Sequence, residues 1–174
     1  MKDASVTDFG LVIAYLLPGG IGLWGLGQLS PVFNEWLGSS ALTSVTIGGF
    51  LTATLLALAA GLVASTVRWL TIDPLHHRTG VKPPQWDFAH LAEREDAYEL
   101  LVEIHYRYYQ FYANSIVALT FALVALLIRG SSGVEKLSFA AVLLLFITIF
   151  FAGSRDTLRK YYGRTGALLR RRQK

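Results

Sequence analysis

Four histidines, His76, His77, His90 and His105, are the side chains in this sequence best suited to hold a metal or move a proton. Their spacing forms no His-x-x-x-His or Glu-x-x-His pair that would aim two ligands at one ion, so they read as surface or interfacial side chains. No metal or cofactor is expected. The chain has no cysteine, which removes disulfides, thiolate metal sites and a thiol nucleophile. It also lacks a Gly-x-Ser-x-Gly elbow, a phosphate loop, a dinucleotide fingerprint and a zinc-protease helix. The expectation is therefore a protein that is not an enzyme. The weakest alternative is a lipid-acting membrane enzyme using His90, His105, Glu103 or Arg107 at headgroup depth.

A second group of polar residues recurs at helical spacing: Glu103, Arg107, Gln110 and Asn114. This stripe runs from charged sequence into an apolar stretch, where an unpaired amide such as that of Asn114 would be costly. It either lines the mouth of a polar cavity or pore, or bonds to another helix, with Arg155 and Asp156 the expected partners. A third group, Arg68, Asp73, Arg155 and Asp156, places opposite charges at the borders of two apolar runs. Crossed pairing between these would set helix register and depth.

The elements that position these residues follow from hydropathy. The 174 residues are 53% hydrophobic and only 16% charged, with a mean hydropathy of +0.43. Four apolar stretches, about 9–29, 42–70, 109–128 and 137–153, carry no Asp, Glu, Lys or Arg apart from Arg68 at the end of the second. About 20 helical residues cross a hydrocarbon layer of ~30 Å. Backbone amides in lipid must also be satisfied within the segment. The fold class expected is all-α: a polytopic bundle of four transmembrane helices with cytoplasmic helical extensions. The first run, preceded by two acids and one base and followed by no small-x-small cleavage site, reads as a retained span.

Fourteen of the sixteen Lys and Arg fall on one side of such a bundle, before the first span, between the second and third, and after the fourth. The positive-inside rule assigns that side to the cytoplasm, with both termini, in what reads as a bacterial inner (plasma) membrane. Trp24 and Trp36 toward one border, and Trp69, Tyr106, Tyr108, Tyr109 and Tyr112 toward the other, fit aromatic belts. The basic tail 155–174 would lie against anionic headgroups, lipid being a nearer anion than nucleic acid.

Three local patterns refine this picture. Pro18, Gly19 and Gly20 should kink or unwind the first span, as a functional break or as a packing kink. Gly49, Ala53, Ala57, Gly61 and Ser65 form a small-residue stripe for close packing against another span or a second copy. Between the second and third spans, residues 73–84 are rich in breakers and read as an irregular loop. From Asp87, a plausible N-cap, a single helix should run to Gly130. The fourth helix should continue past the membrane and end near Gly163 or Gly166.

Two functions follow as expectations. The first is a homo-oligomeric membrane protein forming a channel or permeabilising pore. Its support is the small-residue stripe, the broken first span, the polar stripe, and the hydroxyls of Thr43, Ser44, Thr46, Thr52, Thr54 and Thr66. The second is a membrane-anchoring or signalling subunit whose cytoplasmic helix and tail recruit a soluble protein, an architecture found in some bacterial defence systems.

Overall fold

The computed structural model describes residues 4–35, 47–129 and 133–169. Trp36, Thr43, Ser44, Thr46, the start of the second apolar stretch and the tail beyond Leu169 lie outside them, as do the side chains of residues 4–9, Leu11 and His90. Among the described residues the chain is helical and contains no strand. The helices are α1 (Ala4–Leu29), α2 (Ile47–Arg78), α3 (Glu95–Leu101), α4 (Arg107–Ile128) and α5 (Val134–Leu168). Two 3-10 turns, Phe88–His90 and Ala92–Arg94, precede α3, and a π-turn, Val102–Tyr106, joins α3 to α4. Four helical stretches are long and apolar enough to cross a membrane, which makes this an integral membrane protein. The outward faces of α2 and α5 are apolar, with Leu55, Leu62, Val63, Leu144 and Leu145 all more than half exposed. Such surfaces have lipid as their solvent.

α4 is the centre of the bundle, touching α1, α2 and α5. Small side chains make this possible: Ala113, Ala118, Ala122 and Ala125 are all buried, and the backbone of α1 comes close at Gly25, where a Cβ would stand 3.1 Å from Ala122 Cα. α1 meets α2 still more closely. A Cβ on Gly19 would stand 1.6 Å from the Ala57 carbonyl oxygen, and one on Gly61 would stand 2.0 Å from that of Tyr15. The small-residue stripe therefore has its partner within the chain. Ala57 and Gly61 are buried against α1, while Gly49, Ala53 and Ser65 flank the contact half-buried.

Several boundaries differ from those expected. α1 is not unwound at Pro18, Gly19 and Gly20, because the carbonyl that proline leaves without a helical donor is satisfied from α4, as shown below. α2 continues through Pro74 to Arg78, so 73–78 is helix and not loop. It is held on both sides of the proline by bonds from Asp73 and His76 to other helices. It stops at Gly80, whose φ of +98° only glycine adopts without strain. There Val81 N–H donates to the His76 carbonyl (3.0 Å) and Gly80 N–H to that of His77 (3.3 Å), closing the last turn as a Schellman cap. Val81, next in sequence, is buried with Tyr109, Ala113, Leu158 and Tyr161.

Asp87 does cap a helical turn, accepting from Ala89 N–H at 3.1 Å, but two 3-10 turns intervene before regular helix begins at Glu95. α5 runs through both Gly163 and Gly166 to Leu168. Its last carbonyls are taken by other segments: Leu168 accepts from Arg94 and Leu169 from Asp87 N–H (3.4 Å), while Pro84 covers Gly166. Tertiary capping outweighs the glycine signal. At 1.5 Å per residue the 37-residue helical stretch from Ala92 and the 35 residues of α5 are about 50 to 55 Å long, well beyond a ~30 Å hydrocarbon layer. Their surplus, with the strap 80–91, forms a folded head at the basic end of the bundle.

Candidate functional site at the basic end of the bundle

The strongest concentration of polar side chains lies where α2, α4 and α5 leave their apolar stretches. Arg68, only 5% exposed, sits 3.5 Å by its Nε from Asp73 Oδ1 on the same helix, and its guanidinium lies 5.3 Å from the centre of the Tyr109 ring. Tyr109 is buried and donates its hydroxyl to Asp73 at 2.5 Å. The cation, carboxylate and phenol thus compensate one another where water is excluded, as a buried ion pair requires. Arg68 Nε and NH1 are nonetheless without a hydrogen-bond acceptor.

One turn along α2, His76 is fully buried. Its Nε2 lies 3.0 Å from Ser154 Oγ, and its ring stacks on Phe151 with centroids 5.0 Å apart. Ser154 donates its own hydroxyl to the Phe151 carbonyl (2.9 Å), so its oxygen accepts from His76. That assigns the proton to Nε2 and leaves Nδ1 a buried acceptor with no partner. A histidine serving as base to a serine needs the reverse arrangement, with Nδ1 donating to a carboxylate. Asp73, the nearest acid in sequence, is bonded to Tyr109 instead. The His76–Ser154 pair is a clamp between α2 and α5.

The remaining border charges do not cross as expected. Arg155 donates to the Thr79 hydroxyl (2.6 Å) and carbonyl (2.5 Å), capping the end of α2, and Asp156 pairs with Lys160 on its own helix (2.6 Å). The reason is the unbroken α2, which carries Thr79 past the membrane border to the level of Arg155.

Of the polar stripe, Arg107, Gln110 and Asn114 face inward, toward α1 and not toward α5. Gln110 Nε2 donates to Tyr15 Oη (3.1 Å), Asn114 Nδ2 donates to the Ala14 carbonyl (2.8 Å), and Arg107 lies along Gly10, whose added Cβ would be 3.6 Å from Arg107 Cγ. Ala14 is four residues before Pro18, so its carbonyl is the one that proline cannot serve. Asn114 supplies the missing donor, which explains both an amide fully buried inside an apolar helix and an unbroken α1. Gln110 Oε1, Asn114 Oδ1, Ser115 Oγ and Arg107 Nε stay buried without partners beside this seam. Glu103 is half-buried at its outer end. The hydroxyls of Thr52, Thr54 and Thr66 donate to carbonyls four residues back in α2 and so offer no polar lining of their own.

Outside the membrane stretch the head is held by aromatic packing. Tyr161 meets Tyr106 (5.0 Å between centroids), Trp86 lies edge-on to Tyr161 and Tyr162, and Tyr98 and Tyr161 share a hydroxyl contact of 3.2 Å. Tyr106 and Tyr109 therefore belong to the interior, whereas Trp69 and Tyr108 are exposed. His76, His77 and His105 are not surface groups either. His77 bonds to Tyr162 (3.1 Å), and His105, buried in the π-turn, accepts from Arg164 at 2.7 Å. Among the described residues no three of His, Asp and Glu are placed to share a metal ion.

His105 gives a testable pH dependence. Burial first, and then the cations Arg164 and Lys160, hold its pKa below the ordinary 6.5 against a smaller opposing pull from Asp156. A histidine whose pKa is lowered by folding stabilises the fold above its unfolded value. That contribution is lost as the pH falls through the lowered value. Protection from hydrogen exchange along 155–169, relative to the intrinsic rate at each pH, is expected to hold above pH 6.5 and to fall in acid, and His105→Gln should flatten that dependence. Equal acid sensitivity in the variant would assign the effect elsewhere.

Sequence reasoning missed Ser154, Thr79, Trp86, Tyr161 and Arg164 as partners. The one signal for the first two was the spacing of Asp73, His76 and Thr79, which share a helix face once α2 is allowed to pass Pro74. Comparison of the chain with protein families, curated proteins and solved structures finds no match.

Proposed function

We propose that this chain is a membrane-anchoring subunit that presents a rigid helical head to a soluble protein on the cytoplasmic side of a bacterial inner membrane. The orientation rests on the distribution of Lys and Arg, fourteen of sixteen on the head side. The observation that carries the reading is an apolar stripe on the outside of the head. Leu100, Ile104 and Tyr108 recur every four residues across the π-turn and are 54%, 40% and 51% exposed, with Phe88 exposed as well. Apolar side chains so arranged outside the hydrocarbon layer mark an interaction surface. The stripe is one helix wide and runs beside Glu95, Asp96, Glu99 and Glu103, so the occupant it fits is an amphipathic helix with basic flanks. A second copy pairing through the same face would set acidic rim against acidic rim, which disfavours self-association there.

A channel or pore is the less supported reading. The amide nitrogens of Gln110 and Asn114 donate to α1, and the threonine hydroxyls of α2 to their own backbone. A lining would have to come from faces shared between copies. The test is recovery of a stoichiometric soluble partner from native membranes. Paired substitution Leu100→Glu and Ile104→Glu is expected to lower recovery at least ten-fold with the unfolding midpoint of the bundle unchanged. Full recovery with the double variant, or a pore current whose size tracks copy number, would overturn the proposal.

A further inference from the structure

We infer that the junction of α2 and α5 binds the phosphate of an anionic phospholipid in the leaflet on the head side, through Arg155, Arg78, Arg159 and Lys82. The inference needs only the membrane setting and holds whether or not the head recruits a partner. Arg155 is fixed by its two bonds to Thr79, which use two of its five N–H groups. The side chain is half-exposed, and no remaining nitrogen of it is buried without a partner. The other donors therefore reach the surface from an already ordered guanidinium. Arg78 adjoins Thr79, Arg159 is one turn along α5 from Arg155, and Lys82 follows the Gly80 turn; all three are exposed.

The acids of these segments are occupied. Asp73 accepts from Tyr109 and faces Arg68, Asp87 caps Ala89, and Asp156 pairs with Lys160. Among the described residues a basic surface is left without a carboxylate partner. Its depth is that of headgroups, since exposed Trp69, Leu70 and Leu75 lie immediately on the membrane side and Arg155 is two residues beyond Gly153. A planar guanidinium suits a phosphodiester better than a choline or amine headgroup.

The experiment is native mass spectrometry of the full chain in micelles with phosphatidylglycerol and phosphatidylcholine added in equal amounts. The expected result is preferential retention of phosphatidylglycerol, falling about five-fold for each basic residue removed, so that Arg78→Gln with Arg159→Gln loses at least ten-fold. Arg129→Gln, at the opposite end, should change nothing. Unchanged retention in the double variant, equal loss with Arg129→Gln, or full displacement of the lipid by excess inorganic phosphate would each overturn the assignment. Thr79→Val, which frees Arg155 without altering charge, should lower retention by an intermediate factor. No loss there would remove Arg155 from the site.

Discussion

Gly61→Ala is expected to cost about 3 kcal/mol or more of bundle stability. The added carbon would stand 2.0 Å from the Tyr15 carbonyl oxygen, whereas carbon-to-oxygen contacts between helices settle near 3.3 Å. Both obstructing parties are backbone, so no side chain can turn aside. α1 and α2 must separate by roughly an ångström. That movement would carry Tyr15 and Ala14 away from Gln110 and Asn114, adding the loss of two interior hydrogen bonds. Gly20 supplies the control, since a Cβ there meets nothing within 4 Å and alanine favours helix. Equilibrium unfolding in mixed micelles should show Gly20→Ala at or above the parent midpoint and Gly61→Ala far below it. Coincident midpoints would mean that α1 and α2 do not pack as described.

The second large effect is a coupling. Asn114→Ala removes the side-chain donor to the Ala14 carbonyl, a loss of about 1–3 kcal/mol. In a Pro18→Ala background the helix can supply that donor itself, because residue 18 regains its N–H. The same asparagine substitution should then cost about 1–2 kcal/mol less. The cavity left by the shortened side chain is common to both backgrounds and cancels in the cycle. Strictly additive losses would show that Pro18 and Asn114 are independent, and the account of an unbroken α1 would fail with them.

The same pair explains why part of the candidate site was legible in sequence and part was not. Asn114 stood out because an amide inside an apolar run must find a partner, and Pro18 because a proline must leave a carbonyl without one. Each was half of a single bond across 100 positions of chain. Nothing local distinguishes that bond from a pore lining for the one or an unwound helix for the other. The stripe of Ala57 and Gly61 likewise announced close contact, but whether its partner was α1 or a second copy depended on Gly19 reaching the same depth.

The spans themselves were determined by the sequence alone, because hydropathy acts residue by residue: an uncharged run of about 20 residues has lipid as its only favourable solvent. Helix ends were decided by tertiary structure. Pro74, Gly163 and Gly166 are breakers in isolation, yet each lies inside a helix whose neighbours hold it, through Asp73 with Tyr109, His76 with Ser154, and Arg94 with the end of α5. The burial of His76, Tyr109 and His105 was settled in the same way, since a polar aromatic side chain fits a surface or an interior equally well until a specific partner is brought to it.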